Sequence, residues 1–115
     1  MEEINLKDIK QSGDQLEISI DGKNYKFIFY YNDWYDYWVM DCYLEDSEEP
    51  FLTGIKIIPF QDIFGLFRGN IEKVPISIIQ FINITDNNAN IVKKDDMKDE
   101  KVIMCVLTQE DVLEE

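Results

Sequence analysis

Apolar and polar residues alternate with a period of two in the first part of this chain, and this alternation restricts the fold more than any other feature. Leu16, Ile18 and Ile20 alternate with polar residues. A second run has aromatic residues at every other position, Tyr25, Phe27, Phe29 and Tyr31, between Asn24, Lys26 and Ile28. Successive side chains of a β-strand point to opposite faces, whereas an amphipathic helix repeats every three to four residues. Both runs are therefore predicted to be strands with one buried face.

Asp21-Gly22 stands between the two runs and predicts a β-hairpin, because glycine adopts the positive φ that tight hairpin turns require. A two-residue loop would pair Ile18 with Tyr25, whereas a four-residue loop would pair Ile18 with Phe27. Both registers collect the apolar residues on one face. The sequence thus predicts the hairpin and leaves its turn open.

A second hairpin is predicted further along the chain, with a strand, an acidic loop and a return strand over residues 35–44, 45–50 and 51–58. If Cys42 lies opposite Thr53, then Met40 lies opposite Ile55, and one face of the hairpin is continuously apolar. Gly54 falls on the other face in this register. A missing side chain inside a strand indicates a bulge or a close backbone approach.

The remaining elements are predicted from shorter patterns. Phenylalanines at roughly helical spacing predict a short helical turn or an ordered loop over 59–67, and a turn is expected at 68–70. The apolar run 76–85 predicts a strand buried on both faces. Residues 86–100 are polar and turn-rich, and 101–108 is predicted to be the last strand. The predicted fold is mainly β: a small antiparallel β-barrel or β-sandwich with one short helical turn.

We expect the 115 residues to form a single β domain. Residues 1–13 are expected to be an N-terminal segment, and 109–115 an acidic C-terminal tail that frays. No apolar run approaches the roughly 20 residues of a membrane-spanning helix, and the first residues do not resemble a signal peptide. We therefore expect the chain to stay in the cytoplasm unless an assembly carries it out.

The chain is strongly acidic, with 24 Asp and Glu against 11 Lys and Arg and a net charge of -13. Nucleic-acid binding by phosphate neutralisation needs clustered basic residues, and anionic membrane surfaces attract the same residues. Neither partner is expected. The charge is consistent with a solvated acidic surface, or with an acidic inhibitor or DNA mimic that caps a basic partner.

The sequence contains no pattern typical of a catalytic, metal or cofactor site. Histidine is absent, and the five glycines are isolated, so no phosphate-binding loop is present. The acidic residues of 95–100 lack the pattern of an EF-hand loop. Cys42 and Cys105 lie in apolar runs and are expected to be buried and reduced. We therefore expect a protein without enzymatic activity and without a cofactor.

Residues 33–42 (DWYDYWVMDC) combine both tryptophans with two tyrosines and three carboxylates. Such a stretch could stack sugars on aromatic rings with carboxylates bound to hydroxyl groups. Alternatively, it is a strand with apolar residues on both faces, one covered by the core and the other by a second packed layer or a partner chain. The second interpretation places Trp38 and Met40 in the core. The predicted interface residues are Trp34, Tyr35, Tyr37 and Tyr43.

Strand alternation puts Tyr35 and Tyr37 on one face and Trp34 and Trp38 on the other. It also separates Asp36 from Asp41, which would point to opposite faces. Two carboxylates on opposite faces could not flank one glycosidic bond. The aromatic stretch is therefore not predicted to be a glycosidase site.

Several motifs resemble those of one protein family. They are an aromatic-Tyr-Asn ending of the first hairpin (30–32), Trp-x-Met-Asp (38–41), Pro-Phe-Leu-Thr-Gly-Ile-Lys-Ile-Ile (50–58) and Gln-Asp-Ile-Phe (61–64). Over residues 15–107 the chain is similar to the small β-rich plug proteins at the centre of contractile phage tail baseplates. These plug proteins were first defined in a cyanophage and also occur in tailocin-like particles.

The resemblance implies a structural protein of the plug and hub region, which connects the tail tube, hub and spike. It implies no enzymatic activity and no cofactor. Its partners would be other baseplate and tail proteins, with several copies around the tail axis. The protein would be assembled in the cytoplasm of a bacterial host and become part of the virion or tail particle. An acidic inhibitor and a sugar-binding module are the alternative hypotheses.

Overall fold

The computed structural model describes residues 2–65, 67, 75 and 77–108, and these residues form strands and connections without a helix. The strands are β1 (Glu2–Asn5), β2 (Gln15–Ile20), β3 (Lys23–Asn32), β4 (Tyr37–Leu44), β5 (Leu52–Lys56), β6 (Ile78–Asn83) and β7 (Val102–Leu107).

The described strands form two antiparallel sheets and do not close into one barrel. One sheet has four strands in the order β2-β3-β4-β5, and the other has three in the order β1-β7-β6. Their inner faces contribute to one hydrophobic cluster. Phe29 of the first sheet meets Phe81 of the second edge to face, with ring centroids 6.2 Å apart. The mainly β prediction is confirmed, in the form of two sheets that share a core.

The first hairpin has the two-residue loop. Ile18 pairs with Tyr25, and both Asp21 (φ 54°) and Gly22 (φ 78°) have the positive φ of a primed turn. The Asp21 carboxylate accepts hydrogen bonds from the backbone N–H and the hydroxyl of Ser77, at 2.9 and 2.6 Å. Because Ser77 directly precedes β6, these bonds fasten the turn to the other sheet.

The second hairpin has part of its predicted register. Met40 lies opposite Ile55 as predicted, but Cys42 lies opposite Leu52, so the predicted pairing of Cys42 with Thr53 is wrong. The register shifts between Met40 and Cys42. The shift accommodates an additional residue in β5, which the simple alternation of side chains does not reveal.

The irregularity occurs at the glycine that the sequence indicates. Gly54 has a φ of 65°, in the left-handed region that side-chain-bearing residues rarely occupy. Its backbone N–H donates a 2.8 Å hydrogen bond to Oδ1 of Asp41 on β4. The predicted bulge at Gly54 is therefore confirmed. At the bulge, the Asp41 side chain accepts the Gly54 N–H in place of a backbone carbonyl of the neighbouring strand.

The connection after β5 runs along the edge of β6. The backbone N–H groups of Phe60 and Ile63 donate to the carbonyl groups of Phe81 and Ile79, at 2.8 and 2.9 Å. The described part of 59–67 consists of turns, and the predicted helical turn is not confirmed. The segment therefore pairs with a strand edge that would otherwise be open.

β6 and β7 occupy the predicted region, with one difference in burial. Phe81 and Ile79 are fully buried, whereas the intervening residues of β6 are half-exposed. The prediction that this strand is buried on both faces is therefore wrong. Two of its three outer residues, Ile78 and Ile82, are apolar although only one face packs on the core.

β1 lies within residues 1–13, where the sequence predicts only a terminal segment. It has four residues and pairs with β7 from Glu2 opposite Val106 to Asn5 opposite Ile103. So short and polar a stretch has no periodic signal, and its strand conformation depends on pairing with a distant segment. The turn expected at 68–70 and the acidic tail 109–115 lie outside the described residues.

We predict that Gly54→Ala lowers the free energy of unfolding by about 1–2 kcal/mol, because alanine is disfavoured at a left-handed φ. A methyl group at this position would meet no atom within 4 Å, so the loss comes from the backbone alone. Gly54→Asn should lose less, since asparagine tolerates this conformation. Urea denaturation of the three proteins tests the prediction, and equal losses for alanine and asparagine would contradict it.

The two tryptophans provide a matched test of the core. Trp38 is fully buried and its indole N–H donates a 3.1 Å hydrogen bond to the carbonyl of Lys93, whereas Trp34 is 91% exposed. We expect Trp38→Phe to cost about 2 kcal/mol through the vacated volume and the lost hydrogen bond. Trp34→Phe should change stability by less than about 0.5 kcal/mol. Chemical denaturation measures the change in the free energy of unfolding for each variant. Equal changes would contradict the placement of Trp38 in the core and Trp34 at the surface.

Candidate interaction surface

The side of the four-stranded sheet that points away from the core is rich in tyrosine. The side chains at these positions alternate with the buried residues of the same strands, such as Phe29 and Met40. They are half-buried, except for Tyr30 and Lys56, which are exposed. We call this surface the outer tyrosine face; its residues are Lys26, Ile28, Tyr30, Tyr37, Val39, Tyr43 and Lys56.

Strand register brings these residues into rows. Val39 lies opposite Tyr30 on β3 and opposite Lys56 on β5, so the three form a row across three strands. Nearer to the acidic loop, Tyr43 lies opposite Lys26. Side chains directly opposite each other on antiparallel strands are in contact distance. The outer tyrosine face is therefore a continuous surface formed by strand pairing.

A lysine lies over a tyrosine ring at each end of this face. The Nζ of Lys26 is 4.8 Å from the ring centroid of Tyr43, and the Nζ of Lys56 is 4.6 Å from that of Tyr37. Both distances are within the range of cation–π attraction. The two contacts hold the tyrosine rings and the lysine chains in place on the surface.

The tyrosine in the middle of the face remains protonated at neutral pH. Burial, and then the nearby carboxylate of Asp41 and the Tyr43 ring, raise the pKa of Tyr30 above its ordinary value. A protonated phenol can donate as well as accept a hydrogen bond. Tyr30 thus presents an apolar ring with a neutral polar end.

The most exposed aromatic residues lie in the turn between β3 and β4. The Asn32 side-chain oxygen accepts hydrogen bonds from the backbone N–H groups of Trp34 and Tyr35, at 2.9 and 3.2 Å. This Asx turn ends β3, and Asp36 follows with a φ of 54°. The strand predicted over 35–44 therefore begins at Tyr37, and the strand alternation does not extend to the residues before it.

The turn changes the predicted grouping of the aromatic residues. Trp34 and Trp38 do not share a face, since Trp34 is exposed and Trp38 is in the core. Tyr35 is 75% exposed and stacks on Tyr37, with ring centroids 6.2 Å apart and an interplanar angle of 22°. Tyr35 thus extends the outer tyrosine face beyond the end of β4.

Of the four predicted interface residues, Tyr37 and Tyr43 lie on the outer tyrosine face, Tyr35 extends it, and Trp34 lies in the adjacent turn. Tyr30, Lys26 and Lys56 also lie on this face and were not among the predicted residues. The β3 pattern contains a signal for the first two, because they alternate with its buried aromatic residues. The signal for Lys56 is the predicted pairing of Met40 with Ile55, which also puts Lys56 opposite Val39.

The three carboxylates of the aromatic stretch have separate local partners. Asp33 lies 3.9 Å from the ammonium of Lys94. Asp36 accepts a 3.2 Å hydrogen bond from the Tyr31 hydroxyl, and Asp41 accepts the N–H of the bulge glycine. Each of these carboxylates therefore interacts with a neighbouring part of the same chain, at a turn, a strand end or the bulge.

One buried acidic residue, Asp96, has a similar structural role. Its carboxylate accepts a 2.8 Å hydrogen bond from the backbone N–H of Lys93.

Within the ranges that the structure describes, no group of three or more Cys, Asp or Glu side chains is placed to hold a metal ion. In the same ranges, no helix is long and apolar enough to cross a membrane.

Both cysteines are free and buried, which confirms their predicted position in the core. Burial, and to a smaller extent the Asp41 carboxylate, raises the pKa of the Cys42 thiol. Burial and the Glu3 carboxylate raise the pKa of the Cys105 thiol. A raised pKa reduces the amount of thiolate, which is the nucleophilic form.

The two-sheet fold and the outer tyrosine face make this chain a small β domain with a tyrosine-rich sheet surface, and such surfaces are typical of proteins that bind other proteins. A family model, cyanophage baseplate Pam3 plug gp18, matches residues 1–109. The chain therefore belongs to this family of baseplate plug proteins. A search of curated proteins found no match.

Family membership makes the chain a structural protein of a phage tail baseplate. As a baseplate component it associates with other baseplate or tail proteins and is part of the virion or tail particle. The resemblance noted in the sequence is thus confirmed, and the match extends over the β1 region as well.

We expect both thiols to be unreactive in the folded protein. At pH 8, Ellman's reagent should release almost no thionitrobenzoate from native protein and two equivalents after denaturation, one for each cysteine. Raising the pH to 9 should increase the native rate only slightly, since both thiols are buried and their raised pKa values reduce the thiolate fraction. Rapid native labelling of either cysteine would contradict this prediction.

Proposed function

We propose that this protein is a non-enzymatic structural component of the plug and hub region, where it connects tube, hub and spike proteins through the outer tyrosine face. The composition of the outer side of the four-stranded sheet supports this contact. Tyrosine and aliphatic side chains extend across β3 and β4 on the side that the second sheet does not cover. Such a surface gains free energy when another protein covers it.

The residues of this surface are suited to protein contact. Tyrosine buries a large area with few rotatable bonds, so its ordering costs little entropy, and its hydroxyl can still form a hydrogen bond. Val39 and Ile28 supply aliphatic surface between the rings. Trp34 and Tyr35, exposed in the adjacent turn, would extend the contact beyond the sheet.

The charge of the chain supports a role without nucleic-acid or membrane contacts. At a net charge of -13, the chain is repelled by phosphate backbones and anionic lipid surfaces. Several copies would be arranged around the tail axis, assembled in the cytoplasm of the bacterial host. No specific observation at the site favours the acidic inhibitor or the sugar-binding module, since the carboxylates of 33–41 have local structural partners.

A pair of matched substitutions tests the proposed surface. Tyr30 is 36% exposed at the centre of the outer tyrosine face, and Ile84 is 60% exposed after the end of β6. Tyr30→Glu should fold but fail to enter tail particles, because a charge would be desolvated in the contact. Ile84→Glu introduces the same charge and should be incorporated normally.

The measurement is a complementation assay, in which each variant is supplied to a phage or particle that lacks its own copy of this gene. The readout is the number of infectious or complete particles. Circular dichroism and thermal unfolding of each purified variant check the fold. We expect at least a hundredfold loss for Tyr30→Glu and less than a threefold change for Ile84→Glu. Normal incorporation of Tyr30→Glu would refute the proposed contact surface.

A further inference from the structure

The outer tyrosine face differs electrostatically from the chain as a whole. Its strands present two lysines, Lys26 and Lys56, and two carboxylates, Glu17 and Asp41, on the outer side. This side is therefore neutral in a protein with a net charge of -13. A partner can approach it without crossing the acidic surface that covers other parts of the molecule.

The two carboxylates of this side are not used by the two lysines. The Asp41 carboxylate accepts the N–H of Gly54. Glu17 lies opposite Lys26 in the strand register, yet it accepts a 3.1 Å hydrogen bond from the Gln15 amide. Among the described residues, neither Lys26 nor Lys56 forms an ion pair.

The ammonium groups lie on tyrosine rings instead, at 4.8 and 4.6 Å from the ring centroids. A ring covers only one side of an ammonium group, which has three N–H donors. The remaining donors point away from the ring and can bind a carboxylate. Each end of the outer tyrosine face therefore has a positioned cation without a carboxylate of its own.

The spacing of the two cations defines what a partner must present. Tyr43 and Tyr37, the rings beneath them, are six residues apart on β4, which corresponds to roughly 20 Å along the strand. Ile28, Tyr30 and Val39 occupy the surface between them, together with Asp41, whose carboxylate accepts the N–H of Gly54. A complementary surface has an apolar centre with a carboxylate near each end.

We propose that the outer tyrosine face binds a different tail protein whose contact surface has an apolar centre and carboxylates at both ends, which pair with Lys26 and Lys56. This proposal depends on the proposed function, since it specifies the partner of the same surface. The acid–base pairs orient the partner along β4, and the apolar centre supplies most of the buried area.

A second copy of this chain does not fit the same face. A twofold contact places one surface against itself, and this surface has only Glu17 and Asp41 to meet two lysines of the other copy. Two copies, each with a net charge of -13, also repel one another. The occupant is therefore a different protein.

Chemical labelling of assembled particles tests the contact. Purified tail particles and free protein are treated with N-acetoxysuccinimide, and the acetylation of each lysine is measured by mass spectrometry. Lys26 and Lys56 should be labelled at least tenfold less in particles than in the free protein. The acetylation of Lys98, whose ammonium lies 3.3 Å from Asp95, is measured in the same samples as the control.

A zero-length carbodiimide cross-linker then tests the chemistry of the partner. It joins an ammonium to a carboxylate only when the two are in direct contact, so cross-links from Lys26 and Lys56 should lead to Asp or Glu residues of another tail protein. Particles containing mixed ¹⁴N and ¹⁵N copies distinguish such links from links between two copies of this chain. Links between two copies would overturn the proposal.

Two double variants separate charge from packing. Lys26→Gln/Lys56→Gln should reduce complementation at least tenfold, whereas Lys26→Arg/Lys56→Arg, which retains the charge and the ring contact, should support assembly. Both should unfold at the temperature of the parent protein. Protection of both lysines without carboxylate links, together with normal assembly of the glutamine variant, would refute the acidic partner but not the proposed function. Full labelling of both lysines in particles would refute the acidic partner and also the contact through the outer tyrosine face that the proposed function requires.

Discussion

The pairing of β3 with β4 is the constraint on which the rest of the structure depends. Its register runs without interruption from Tyr25 opposite Leu44 to Asn32 opposite Tyr37. Because side chains alternate across a strand, this one register decides both surfaces of the sheet. It directs Phe29 and Met40 into the core and leaves Tyr30, Tyr37 and Tyr43 on the outer side. A slip by one residue would exchange the two sets.

The second sheet completes the core and thereby determines which surface remains open. Phe81 meets Phe29 from across the core, and the bonds between Ser77 and Asp21 hold the hairpin turn against the start of β6. The segment after β5 pairs with the outer edge of β6. The outer side of the four-stranded sheet is left with an apolar centre and a cation at each end. We propose that this surface contacts other proteins of the baseplate.

Much of the fold could be predicted because its signals are local. Alternation located the two hairpins, and the Asp21-Gly22 turn joins the first pair of strands. The elements that escaped prediction depend on distant segments. β1 is a strand because β7 lies beside it. The turn before Tyr37 interrupts the aromatic stretch because Asn32 binds the following backbone N–H groups.

The sequence by itself determined the class of fold, the inward position of Trp38 and Met40, and the acidic charge, because period, residue type and charge are properties of the chain alone. Tertiary structure decided which residues share the outer tyrosine face. The pairing of β4 with β5 places Lys56 beside Val39, and the pairing of β3 with β4 places Lys26 beside Tyr43. These neighbours are distant in sequence, so only the pairing of strands brings their side chains together.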